Sequence, residues 1–264
     1  MKLIEKEKFI EILKTSIFDY CLTLPIIEST NIDKIECYVS EKSNKDFLCY
    51  LKYPDGSETL EIHWEQKDVT EILSTIKNMK NSAYFSNGCF VALYKSDILL
   101  SELSRLYKIG DIEYIQSYHS NENEKESAHC EIARYIEERM QYQLENDFLG
   151  QDGNHIKMIE NQVNKDSENN KIIYMIIDEK IVGYVTLKRQ YENIWDVAYI
   201  FVDERYRCRG FGTYLCQTAI AYMKKNQSFL YYSYCENASS EAVAKKSNLL
   251  PCAERYVFSI NFEN

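Results

Sequence analysis

Several kinds of protein are excluded by what the sequence lacks. It has no run of about 18 apolar residues, so no transmembrane helix and no membrane partner are expected. The opening stretch, MKLIEKEKFIEILKTS, carries charges through its apolar positions and reads as an amphipathic helix, not a signal peptide. The nine cysteines are odd in number, widely spaced and without a CxxC pair. Reduced thiols in a cytoplasm are their simplest account. Four histidines show no metal-ligand spacing, and adjacent His129 and Cys130 would diverge on a helix, so no metal site is expected. Positive charge is also short. A net charge of −10 and a pI near 5.1 argue against binding nucleic acid, although an acidic surface can attract cationic amines. Glycine is scarce at 8 of 264 residues, yet Gly210 and Gly212 stand one residue apart.

There is ample material for a core. Hydrophobic residues make up 45% of the chain and charged residues 27%, with 22 tyrosines. The length suits one large domain or two small ones. After a helix over residues 5–15 come three strand-like runs, KIECYVS (34–40), DFLCYLKY (46–53) and ETLEIHWE (58–65). Pro54-Asp55-Gly56 predicts a hairpin between the last two. DVTEILSTIKNM (68–79) reads as a helix capped by Asp68, and CFVALY (89–94) as a strand. The pattern weakens over 95–112. That places a boundary near residue 110, between a smaller α+β domain (1–110) and a second domain (111–264).

The second part opens with a strand (112–118) and a polar loop (120–127). A long helix (128–149), a short one (155–164) and a turn (165–170) follow. Strands at 171–178 and 180–188 are joined by a tight hairpin at Asp178-Glu179-Lys180, and a third strand covers 194–202. A helix is predicted over 211–225, with Phe211, Tyr214, Leu215, Thr218, Ala219 and Tyr222 on its buried face. A strand (228–235), a helix (239–248) with Asn248 as its left-handed cap, and a strand (255–262) complete a mixed α/β pattern.

The run RCRGFG therefore falls between a strand and a strong amphipathic helix. Its glycines can be read as turn formers. They can also be read as an anion cradle, since glycine lets the free N–H groups of a helix N-terminus approach a phosphate, and Arg207 and Arg209 add charge. It is not a P-loop, lacking Gly-Lys-Ser/Thr, nor a Rossmann fingerprint, because the order is wrong.

DVAYIFVDERYRCRGFGTYL followed by YSYCENASSEAVAKKSNLLP resembles the GNAT family of N-acetyltransferases over roughly residues 110–264. The resemblance implies a GNAT-type acyltransferase fold with acetyl-CoA as cosubstrate. The pyrophosphate would lie on Arg207-x-x-Gly210-x-Gly212, with contacts from Ile200, Phe201, Val202, Cys208, Arg209, Phe211, Thr213, Asn237 and Ser240. A small amine would be the acceptor. The family often has a carboxylate base six residues before the strand's last Val, which is Asp196 here, with Glu192 as the alternative. Strand alternation would put Asp196 on the face of Ala198, Ile200 and Val202. The family's acid, a Tyr seven residues after the Asn, falls on Ala244. Tyr234 or Tyr232 would have to replace it, and ordinary sheet packing is the competing account of both. The family's Gly-Phe is Asn248-Leu249 here.

The first 110 residues show no cradle, since WEQKDV joins strand to helix without a glycine. Their α-β-β-β-α-β order is nevertheless part of the acetyltransferase order. A degenerate GNAT-like half that shapes the acceptor cleft or supports a homodimer is one reading, and an unrelated α+β domain the other. A non-catalytic acyl-CoA-binding or interaction module on the same fold is the alternative for the whole chain.

Overall fold

The computed structural model of the chain describes residues 1–82, 84, 85, 88–120, 169–177 and 180–262. Residues 121–127 of the loop expected at 120–127, the helices expected at 128–149 and 155–164, most of the turn at 165–170, and Asp178-Glu179 of the expected hairpin lie outside these residues. The chain forms two compact units, Met1–Ser117 with Cys252–Asn264, and Tyr118–Pro251. Among the described residues no helix is long and apolar enough to cross a membrane.

The first unit begins with strand β1 (Lys2–Ile4) and helices α1 (Lys6–Lys14), α2 (Ile17–Tyr20) and α3 (Leu24–Glu28). Strands β2 (Lys34–Val39), β3 (Phe47–Lys52) and β4 (Glu58–His63) then form one antiparallel sheet. The predicted hairpin joins β3 to β4. Gly56 takes φ +84°, and Asp55 Oδ1 accepts from Ser57 N at 2.8 Å. Helix α4 (Thr70–Asn81) leads to β5 (Gly88–Tyr94), which lies parallel to β4. The N-cap is Val69, with no side-chain cap, rather than Asp68 as expected; Asp68 stands one residue earlier and accepts from Thr70 N at 3.0 Å.

Where the sequence pattern weakens, the chain forms α5 (Asp97–Leu106), with Leu99 and Leu103 buried one turn apart, and β6 (Lys108–Ile109), and the strand expected at 112–118 follows as β7 (Glu113–His119). The final strand, β12 (Leu250–Asn261), returns to this unit and pairs antiparallel with β5 from Arg255 to Asn261. Alternation sends Leu48, Tyr50, Leu60, Ile62, Val91, Leu93 and Phe258 into one core with Ile72, Ile76, Leu99 and Leu103 of α4 and α5. Helices α1 and α2 cover the other face, where Phe9 and Tyr20 meet Phe47 edge-on at 5.0 and 5.5 Å.

In the second unit β8 (Asn170–Ile177), β9 (Lys180–Tyr191) and β10 (Ile194–Val202) are antiparallel neighbours. Helix α6 (Phe211–Lys225) crosses to β11 (Phe229–Cys235), which lies parallel to β10, and α7 (Ala238–Lys246) follows. The helix limits at 211 and 225 match the sequence pattern. Its buried face matches in part. Leu215, Thr218 and Ala219 are buried as expected and are joined by Cys216, Ile220 and Met223, whereas Tyr214 is 38% exposed and Phe211 and Tyr222 are half-buried. The buried apolar side chains share one core with Val185, Leu187 and Leu230. Asn248 takes φ +55° after α7, the left-handed cap expected of it.

Candidate active site

Strand β10 is nine residues long, but β11 pairs with it only at residues 194–196 opposite 229–231. Beyond Asp196, β10 keeps its ladder to β9 as far as Val202 and has no ladder partner in β11. Val197 opposes Leu187 and Tyr199 opposes Thr186, so Ala198 is the extra residue of a bulge. A bulge bends a strand and increases its twist. Here it occurs where the two parallel strands part, leaving main-chain groups of β10 unengaged by β11.

The bulge also resets the side-chain alternation. Trp195 and Val197, then Ile200 and Val202, face the core under α6. Asp196 therefore lies on the opposite face with Tyr199 and Phe201, not with Ala198, Ile200 and Val202 as simple alternation predicts.

The loop after β10 is built around Asp203. Its buried carboxylate accepts from Arg205 N at 2.9 Å and from the Arg205 guanidinium at 3.0 and 2.6 Å. These bonds hold its carboxyl below the usual aspartate range. Arg207 turns back over the Phe201 ring at 6.0 Å and donates from Nε to the Val202 carbonyl at 3.0 Å. Cys208 and Gly210 then take φ +61° and +83°. Gly210 reverses the chain into α6 and supplies no capping side chain. The first helical bond is Tyr214 N to Gly210 O at 3.0 Å, so the N–H groups of Phe211, Gly212 and Thr213 have no acceptor within the helix.

Gly212 serves a different need. A Cβ there would stand 3.2 Å from Val243 Cγ2, so its absence lets α7 approach the start of α6. The N-terminus of α7, by contrast, is closed by Asn237, whose Oδ1 accepts from Ser239 N and Ser240 N at 3.0 Å each.

These elements enclose a cleft of about 480 Å³. Ile200, Phe201, Val202, Arg207, Cys208, Gly210, Phe211, Gly212, Thr213, Asn237 and Ser240 all line it. Arg209 does not. It is exposed, with its guanidinium 5.6 Å from the Tyr206 ring. Residues the sequence pattern did not single out also line the cleft: Tyr206, and Ser239, Ala242, Val243 and Lys246 of α7. The spacing of three and four between the α7 residues is the signal that could have found them. Lys246 and Arg207 are the cationic side chains of this lining, and Arg207 also pairs with Glu204 at 3.4 Å.

On β11, Tyr232 lines the cleft and is only 2% exposed. Burial pushes its phenol up to about 12, so it is neutral at physiological pH. Tyr234, half-buried, stacks on Tyr118 at 6.0 Å with the two hydroxyls 3.4 Å apart. Ala244 is fully buried in the core with Leu215 and Ala219 of α6.

Residues 132–247 match the profile of the acetyltransferase (GNAT) family. Among solved structures, a GNAT-family acetyltransferase from Colwellia psychrerythraea is similar at a TM-score of 0.55 and 12% identity, covering 99% of both chains. A Drosophila protein from structural genomics is similar at 0.56 and 12%, covering 98% of this chain and 97% of its own. A tandem GNAT protein of the clavulanic acid biosynthesis pathway gives 0.49 and 9%, covering 99% and 98%. At such identities the likeness is one of fold. No curated protein matches the chain by sequence.

Proposed function

We propose that this protein moves an acetyl group from acetyl-CoA to a primary amine of a small molecule by direct attack, a reading supported by the match of residues 132–247 to the acetyltransferase (GNAT) family, whose chemistry is acyl transfer from an acyl-CoA. The observation that carries the proposal is the parting of β10 from β11 beside an uncapped helix N-terminus. The open strand offers hydrogen bonds along an extended chain. The N–H groups at 211–213 and the Arg207 side chain suit a pyrophosphate.

In this reading the amine arrives as an ammonium, which has no lone pair to attack with. Asp196 takes its proton, directly or through water. The amine nitrogen then attacks the thioester carbonyl carbon, and a main-chain N–H of β10 past the bulge stabilises the oxyanion. The C–S bond breaks and the acetyl group stays on nitrogen; the CoA thiolate takes a proton from Tyr234, and the second proton of the nitrogen passes through water to restore the phenol, leaving a neutral amide and a free thiol. Tyr232 is a poor proton source, because a phenol near 12 lies about 3 units above an ordinary thiol. A cytoplasmic setting fits the Cys37 and Cys49 thiols, which face each other at 3.6 Å as a hydrogen-bonded pair.

The first unit is, in this proposal, a degenerate GNAT-like half. Its support is the single antiparallel sheet of β2, β3 and β4, followed by α4 and the parallel strand β5. A second reading, a non-catalytic acyl-CoA-binding module, is favoured by one observation: the family's Tyr position is Ala244, buried in the core. Release of CoA in the presence of a panel of small amines separates the two. Turnover with any of them supports catalysis, and binding of acetyl-CoA without turnover supports the module.

A further inference from the structure

We propose that Tyr232 sets the length of the acyl group the cleft accepts, its ring closing the cleft where β10 and β11 part and admitting only short chains. This inference rests on the acyl-transfer reading. Tyr231, opposite Asp196, is the last β11 residue in the parallel ladder, and Tyr232 is the next. It is the one β11 residue among the described cleft lining, whose other members come from β10, the glycine loop, α6 and α7. The anion cradle at Gly210 and Phe211 lies at the far end of β10. A thioester arm laid along the open strand from that cradle therefore points its acyl end at the crotch. Continuing the chain past the carbonyl brings it against the Tyr232 ring.

That ring cannot swing aside. It is 2% exposed and packs in one core with Leu215, Cys216 and Ala244. Ser240 of α7 lines the cleft beside it, and Ser240 N is itself held by Asn237. Leu215 and Cys216 of α6 and Ala244 of α7 hold the wall from two helices. Protein interiors yield little to an added methylene, and a pocket that lacks room for one discriminates by about tenfold or more.

The test measures affinity of the full chain for acetyl-, butyryl- and octanoyl-CoA by calorimetry, for the native protein, Tyr232→Phe and Tyr232→Leu, with circular dichroism to confirm folding. The native chain should bind octanoyl-CoA at least about tenfold more weakly than acetyl-CoA. Tyr232→Phe keeps the ring and should keep that gap. Tyr232→Leu should close it by about tenfold. If the leucine variant does not fold, Tyr232→Met conserves more core volume and should close the gap likewise. Equal native affinity for all three thioesters overturns the inference alone. So does a folded leucine or methionine variant that retains the native gap. A native chain that binds none of them removes the acyl-transfer reading, and this inference with it.

Discussion

Replacing Gly210 tests the cradle most directly, because the position separates fold from ligand. Its φ of +83° is unfavourable for an L-residue, but a Cβ there would meet nothing within 4 Å. Gly210→Ala should therefore cost only the left-handed backbone, about 1–2 kcal/mol. Each kcal/mol moves the thermal midpoint by about 2–4 °C at this size. Acetyl-CoA at 100 times its Kd should stabilise the native chain by about 2.7 kcal/mol, a rise of about 5–11 °C. The alanine variant should start lower and still show most of that rise. Gly210→Asp carries the same backbone cost, and its carboxylate favours the helix start. Beside a bound pyrophosphate, however, one like-charge pair at about 4 Å costs on the order of 4 kcal/mol at an effective dielectric of 20. That exceeds the whole ligand term, so the rise should vanish. Differential scanning fluorimetry of the three proteins, with and without acetyl-CoA, is sufficient. An aspartate variant that keeps a rise of about 5 °C or more would show that no anion sits at this helix start, and the cradle argument would be wrong.

Asp196→Asn should lower turnover by about 10²–10⁴-fold while leaving the acetyl-CoA rise in midpoint intact; an unchanged rate removes Asp196 as the base. Phe258→Ala, in the core of the first unit at 2% exposure, should destabilise that unit by about 3–5 kcal/mol, read as a lowered midpoint or a separate early transition. Acetyl-CoA should still protect the second unit of this variant, and loss of that protection would contradict the assignment of the last strand to the first unit. Calorimetric titration should give one acetyl-CoA per chain, and a second site of comparable affinity would refute the degenerate reading of the first unit.

Where sequence and fold agree, local rules suffice. The limits of α6 follow from Gly210 and from the lysines at its end, and the β3–β4 hairpin follows from Pro54-Asp55-Gly56. Nearly every expected cofactor contact lines the cleft, because the glycine loop and the Asn237 cap are short-range features tied to element ends. The failures are of another kind. A bulge adds one residue with no change in composition, so IWDVAYIFV reads as a regular strand and Asp196 is assigned to the wrong face. Helix α5 was obscured because its apolar residues, at 98, 99, 100, 103 and 106, do not keep to one face, and Ile98 and Leu106 are exposed. The pairing of β12 with β5 joins residues more than 150 positions apart, which no local periodicity encodes.

The junctions leading into α4 and α6, each joining two parallel strands through a helix, show why only the second should hold an anion. In the first unit β4 and β5 stay paired through residues 59–62 and 90–93, so no cleft opens between them. The connecting loop is served from within. Buried Asp46 accepts from Glu65 N at 2.6 Å and from Gln66 at 2.8 Å. At the start of α4, Asp68 takes the Thr70 N–H, and Glu71 adds a second carboxylate in the first turn. A helix start that already holds carboxylates repels a pyrophosphate, and N–H groups already bonded have nothing to gain from one. In the second unit the same kind of junction is left open. The strands separate after three pairs, the cap residue is a glycine, and no acidic side chain stands in the first turn of α6. The difference between the junctions lies in a bulge, a left-handed glycine and the placement of a few carboxylates on one shared plan, and it confines the expected acyl-CoA chemistry to the second unit.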